Sequence, residues 1–261
     1  MSLNHKIKSY FTYKLRAKNE YSLHSPFMFD LYNAVFKIAR KRTNEFDAIE
    51  KLRGQLLKDN RTIQFEDLGA GAEKNRISTR TISGITKKTG KKKKYARFLA
   101  HLAAYLNPKE ILELGTSVGI STMYLSQKNK SAHITTIEGS KEVKKIANEN
   151  FKKGNLNNIE SLEGNFDSIL PNLIATKKYD FFYIDGNHTY DATVHYFELI
   201  KAVAGNDTVV VFDDIYWSAG MTKAWEEICK DNSVSASVDL FEFGIVFFRK
   251  ELSKQHFVLR Y

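Results

Sequence analysis

Three carboxylates and an imidazole sit just after two apolar runs. Asp185 and His188 follow Phe181-Phe182-Tyr183-Ile184, and Asp213 and Asp214 follow Val209-Val210-Val211-Phe212. Continuous apolar runs of this kind read as strands of a sheet covered on both faces. If the strands are neighbours, the three acids converge, and clustered carboxylates repel unless a proton or a cation neutralises them. Oxygen-only ligands suit a hard ion such as Mg²⁺ or another divalent cation, with water or substrate oxygens filling the octahedron. His188 is placed to accept a proton from a hydroxyl group. Each residue also has a plainer reading: strand-end aspartates cap the next helix, and a helix-start histidine bonds to backbone. Trp217, just after the acid pair, and Tyr190 are candidate walls of a substrate pocket.

A second constellation precedes it. The run Ile111-Leu112-Glu113-Leu114-Gly115-Thr116-Ser117-Val118-Gly119-Ile120 reads as a buried strand, a glycine turn and a helix start. At the end of a parallel strand this makes a nucleotide-type pocket, because glycines admit a ligand to the backbone and the helix offers its first N–H groups. Glu138 ends the next strand, His133–Ile137, at the separation at which such folds hydrogen-bond a ribose diol. The glycine pattern is not the dinucleotide G-x-G-x-x-G. Glu113 would repel a pyrophosphate, yet suits the ammonium or sulfonium side of an aminoacyl-type ligand. An ordinary turn without a ligand is the alternative.

The run from Glu113 to Ser121 resembles motif I of class I S-adenosylmethionine-dependent methyltransferases. The E-L-G-x-x-x-G-x-S form is similar to that of catechol and caffeoyl-CoA O-methyltransferases. The resemblance covers roughly residues 95–250. It implies S-adenosylmethionine as cofactor, bound by Glu113, Gly115, Thr116, Ser117, Gly119, Glu138, Gly139 and Asp185. It adds Asn165 and Phe166 on the adenine side, Phe166 being equally readable as a core aromatic. It makes Asp185, Asp213 and Asp214 the metal ligands, as in metal-dependent O-methyltransferases. The acid pair is Asp-Asp, closer to the sugar-modifying enzymes than to the Asp-Asn of the catechol type. His188 stands where the catechol-type enzymes carry a lysine base, so His188 and Asp185 are the expected catalytic residues. The implied acceptor is a small molecule bearing a hydroxyl group.

The elements that must position these residues alternate from Pro108 onward. Strands are expected at 110–114, 133–137, 159–162, 179–184, 208–212, 235–241 and 245–249. Helices are expected at 120–127, 141–152, 167–174, 191–202 and 222–230. This predicts an α/β fold with a doubly wound, mostly parallel seven-stranded sheet and an N-terminal helical extension. We divide the chain at 1–94, a basic helical cap, and 95–261, the cofactor-binding domain. In the cap, Ser25-Pro26 opens a helix over Phe27–Arg40, a second helix covers Phe46–Leu57, and residues 60–92 read as irregular. The turn Gly69-Ala70-Gly71 imitates a cofactor loop, but no strand ending in an acid follows it.

The formal net charge of +10 is unevenly spread. Residues 1–104 hold 23 Lys and Arg against 9 Asp and Glu. That asymmetry suggests an anionic partner, and nucleic-acid methylation is the first rival reading. No N/D-P-P-Y/F motif follows the strand before Asp185, and the lysines at 91–94 lack interleaved aromatics. A non-catalytic adenosine-binding module is the second rival. The lone Cys229 excludes an intramolecular disulfide and fits a reducing compartment. No stretch is apolar enough to span a bilayer, so a cytoplasmic location is expected. A homodimer in which the aromatic N-terminal helices cover a partner's site is left open.

Overall fold

The computed structural model describes residues 3–41, 43–66 and 77–261. The chain forms two compact units, Met1–Asp30 with Pro171–Tyr261, and Leu31–Leu170. The first elements are α1 (Leu3–Arg16), α2 (Pro26–Leu31), α3 (Lys37–Arg40), α4 (Asp47–Leu56), β1 (Thr62–Glu66), β2 (Ile77–Thr81), α5 (Ile82–Thr89) and α6 (Lys93–Leu106). Then follow β3 (Glu110–Leu114), α7 (Ile120–Lys128), β4 (His133–Glu138), α8 (Lys141–Lys153), β5 (Ile159–Glu163) and α9 (Phe166–Thr176). The last are β6 (Phe181–Ile184), α10 (Tyr190–Val203), β7 (Val209–Asp213), α11 (Ala219–Lys230), β8 (Ala236–Asp239), β9 (Phe243–Phe247) and β10 (Gln255–Val258).

The unit Leu31–Leu170 contains the parallel strands β3, β4 and β5 in that spatial order. Its register sets Glu113 beside Thr136. Helices α4, α5 and α6 are not an appendage to it. Phe46, Ile49, Leu52, Ile82, Ile85 and Ala96 share one core with Tyr124, Val143 and Phe151 of α7 and α8. Phe46 stacks on Tyr124 with ring centroids 4.4 Å apart. Burying such rings removes large apolar areas from water and holds the helical segment to the strands' helices.

The expectation of an irregular segment at 60–92 needs correction. Strands β1 and β2 pair antiparallel from Thr62–Thr81 to Glu66–Ile77, and α5 follows at once. The Thr81 hydroxyl caps α5 by accepting from the Gly84 N–H at 3.0 Å. The threonine- and serine-rich Ile77–Thr81 shows little apolar alternation, and cross-strand pairing supplies what its composition hides. The Gly69–Gly71 turn lies outside the described residues.

The unit Met1–Asp30 with Pro171–Tyr261 orders its strands β10-β8-β9-β7-β6. Here β10 and β8 run parallel, as do β7 and β6, whereas β9 is antiparallel to both β8 and β7. The mostly parallel sheet has eight strands, not the expected seven. The extra strand, β10, is a four-residue Gln-His-Phe-Val stretch with too little apolar character to announce itself. Its free edge is covered from the other end of the chain: Lys18 N–H donates to Val258 O at 2.9 Å, and Arg260 N–H to Lys18 O at 2.9 Å. Helix α1 is docked by Tyr13, whose hydroxyl donates to Leu259 O at 2.6 Å and whose ring lies 5.5 Å from that of Phe241.

As expected, α2 starts at Pro26, with Met28 N–H within 3.4 Å of the Ser25 hydroxyl. Five residues of π-helix, Tyr32–Phe36, then lead into α3. No helix among the described residues is long and apolar enough to cross a membrane.

Burial holds the imidazoles of His101 and His256 below the ordinary histidine range. The unfolded chain therefore takes up protons near pH ~6.5 that the folded chain refuses. Stability is fullest above that pH and falls as acidity rises through it. The thermal midpoint is expected to be lower at pH ~5.5 than at pH ~7.5, and His101→Gln with His256→Gln should shrink the difference.

Candidate functional site

The glycine turn after β3 is built on backbone conformations that side chains disfavour. Gly115 has φ 104°, Ser117 φ 49° and Gly119 φ 86°. A Cβ on Gly119 would lie 2.5 Å from the Phe151 ring, so both the torsion and the space require glycine. Gly115 and Thr116 N–H donate to Ile137 O at 3.0 and 3.2 Å, tying the turn to the end of β4. Ser117, the non-glycine at positive φ, is held twice. Its N–H donates to Glu138 Oε2 at 2.8 Å, and its hydroxyl meets that of Thr89 at 2.5 Å.

Beneath the turn, Glu113 is fully buried. Ser121 Oγ donates to its Oε1 at 2.6 Å, and Thr122 and Thr136 Oγ1 donate to its Oε2 at 2.5 and 2.7 Å. Thr136 has a single hydroxyl proton and gives it to Glu113, so Thr116, 2.6 Å away, must donate to Thr136. A buried carboxylate is costly unless satisfied in this way. The network fastens the end of β3, the start of α7 and the middle of β4 at one point.

Glu138, half-buried at the end of β4, receives two backbone N–H groups. Ser117 donates to one oxygen and Ser140 to the other, at 2.8 and 3.0 Å. Gly139, between them, is half-buried. After β5, Gly164 has φ 143° and donates its N–H to Glu138 O at 3.0 Å. Asn165 Oδ1 accepts from Asp167 N–H at 2.8 Å at the start of α9, and Phe166 is half-buried there.

The other unit carries the acids. Asp185 lies just past β6 and Asp213 at the last position of β7, and these two strands pair directly. Asp185, His188 and Asp213 each offer a ligand atom, all within 4.8 Å of one another. His188 Nε2 is 3.6 Å from Asp185 Oδ1, and Tyr183 Oη donates to Asp185 Oδ2 at 2.8 Å. Asn187, at φ 53°, turns the chain sharply between Asp185 and His188, and the Thr189 hydroxyl then caps α10. Two carboxylates and one imidazole fit a divalent cation of intermediate hardness.

Asp214 stands outside this group. At φ 51° it faces Lys6 of α1, whose ammonium lies 3.6 Å from its Oδ1. The same ammonium sits 5.6 Å from the centre of the Trp217 ring, and Trp217 is 6.1 Å from His188. Trp217 thus stands between the cluster and α1. Tyr190 is directed elsewhere: its hydroxyl donates to Glu227 Oε2 at 2.5 Å, under the Lys223 ammonium. Two contributors escaped the sequence reading. Tyr183 was legible in principle, two residues before Asp185 and so on the same strand face. Lys6 had no local signal.

Known proteins resemble this chain. Residues 112–215 match a family model described as a methyltransferase domain, a stretch that begins in β3 and ends just after Asp213 and Asp214. The chain is 31% identical over 123 residues to O-methyltransferase hkm8 of Aspergillus hancockii, a match covering 46% of this chain. It spans about half the length of that relative, 48%. Among solved structures, the SAH-bound methyltransferase PaMTH1 of Podospora anserina is similar with TM-score 0.59 and 15% identity, over 88% of this chain and 100% of that one. The SAH complex of the Bacillus cereus O-methyltransferase gives TM-score 0.56 and 18% identity, over 85% and 97% of the two chains. The fold is the Rossmann-like methyltransferase fold.

Glu113→Gln replaces one acceptor oxygen with an amide donor facing hydroxyl donors. Urea denaturation should show a loss of about 1–3 kcal/mol. An unchanged midpoint would mean that the network does not hold the turn.

Proposed function

We propose that the chain is an S-adenosylmethionine-dependent O-methyltransferase acting on a hydroxyl group of a small molecule. The observation that carries this reading is the turn at Gly115–Gly119 with Glu138 beside it. Here the Ser117 and Ser140 N–H groups hold the Glu138 carboxylate at the end of β4, at the separation from Glu113 that suits a ribose diol. The family match over 112–215 and the likeness to O-methyltransferases support it.

In this reading an acceptor oxygen attacks the sulfonium methyl carbon. The carbon–sulfur bond breaks, the sulfonium becomes a neutral thioether, and the acceptor proton leaves to a base. His188 is that base, and the Asp185 carboxylate 3.6 Å from its Nε2 stabilises the imidazolium that forms. Tyr183, donating to Asp185, fixes the carboxylate's orientation. Trp217 walls the acceptor. Much of the acceleration comes from alignment of the two reactants. Asp185, His188 and Asp213 would hold a divalent cation only in an alternative arrangement, in which His188 is a ligand instead of the base and the cation would lower the pKa of a coordinated hydroxyl.

Calorimetry with S-adenosylmethionine and its homocysteine product is the direct test. Both should bind, and Glu138→Ala should weaken them about tenfold or more; absence of binding by either compound sinks the proposal. His188→Ala should lower kcat by about 10²–10⁴-fold while leaving cofactor affinity unchanged. Asp213→Asn should abolish Mn²⁺ binding, and full activity in excess chelator would remove the cation from the reaction.

A further inference from the structure

Helix α1 buries one face and leaves another bare. Tyr13 is buried and His5, Lys6 and Ser9 are half-buried, on the side where Tyr13 meets Phe241 and Lys6 meets Asp214. The opposite side carries Ile7, Phe11 and Leu15 at successive four-residue steps, 46%, 64% and 89% exposed. At 100° per residue these three fall in one stripe. Lys8 borders the stripe on one flank and Lys14 on the other, both exposed. Scattered exposed apolar residues are ordinary, but three aligned on one helix mark an interaction surface.

The charge around the stripe identifies what covers it. No aspartate or glutamate occurs before Glu20, whereas Lys6, Lys8, Lys14, Arg16 and Lys18 all do. Beyond the helix end, a cavity of about 500 Å³ is lined by Leu15, Arg16, Lys18, His24 and residues 255–259 among others, with no carboxylate among its lining residues. A second copy of the chain would set these cations against their own kind and bring a net charge of +10 against +10. An anionic bilayer meets both demands, taking the apolar stripe at the acyl boundary and the flanking cations at its phosphates.

We propose that α1 lies in the surface of a bilayer containing anionic phospholipid, with Ile7, Phe11 and Leu15 inserted and Lys8 and Lys14 at the headgroups. The stripe is short, so binding is reversible and salt-sensitive. This surface is independent of the methyl-transfer reading, since none of these residues belongs to the acid cluster or the glycine turn.

Flotation of the full-length protein with vesicles tests it. Binding is expected to phosphatidylcholine vesicles containing phosphatidylglycerol and not to phosphatidylcholine alone, weakening as salt rises. Phe11→Ser with Leu15→Ser should reduce binding by about tenfold or more. Lys8→Gln and Lys14→Gln should each cost about fivefold. All four side chains are exposed, so circular dichroism should match the parent. Failure to float with the anionic vesicles, or equal binding by parent and variants, would overturn the proposal. So would a dimer in sedimentation equilibrium that the Phe11→Ser, Leu15→Ser variant converts to monomer, because the stripe would then be covered by a second copy.

Discussion

A single buried carboxylate organises the unit that holds the glycine turn. Glu113 is out of contact with water and accepts hydrogen bonds from the hydroxyls of Ser121, Thr122 and Thr136, with Thr116 donating behind Thr136. A charge in that position is tolerable only while every donor stays in place. The requirement locks the first turn of α7 and the register of β3 on β4. Above it, Ser117, the one non-glycine of the turn at positive φ, is held by Glu138 and Thr89. Glu113 thereby fixes the base of the turn, while Glu138, nearer the surface, holds its rim through the Ser117 N–H.

The acid-bearing unit solves a different problem. Asp185 and Asp213 end two paired parallel strands, which is where α/β folds gather ligand-binding groups. The adjoining turn places His188 against them and swings Asp214 away to Lys6. The cluster therefore offers two carboxylates and an imidazole. Helix α1 is part of the surroundings of this cluster, since Lys6 closes over Trp217 while Tyr13 anchors the helix against Phe241. A segment that in the sequence is merely basic and aromatic is bonded to the same unit as the acid cluster. It also turns an apolar, cation-flanked face outward.

Much of the α/β framework was legible because its signals are local. Apolar runs such as Val209–Phe212 mark buried strands, and glycine at 115 and 119 marks a turn that other residues would strain. The five helices after β3 begin and end within a few residues of the periodicity's prediction, with Thr189 and Ser218 capping two of them. What escaped is non-local. The β1–β2 pair and β10 are strands only because a partner lies beside them. The helix over α4 reads as part of a cap and the α5 stretch as irregular, yet Phe46 and Ile82 share one core with residues of α7 and α8.

The sequence by itself determined the strand–turn–helix order, the glycine turn and the presence of acids at two strand ends, because each follows from backbone sterics and apolar periodicity over a few residues. Only the tertiary structure decided which groups meet. It turned Glu113 inward as a scaffold, joined His188 to Asp185 and Asp213, gave Asp214 to Lys6 and sent Tyr190 to Glu227. Those choices depend on left-handed turns at Asn187 and Asp214 and on a helix docked from the far end of the chain. Spacing along a strand carries no information about either.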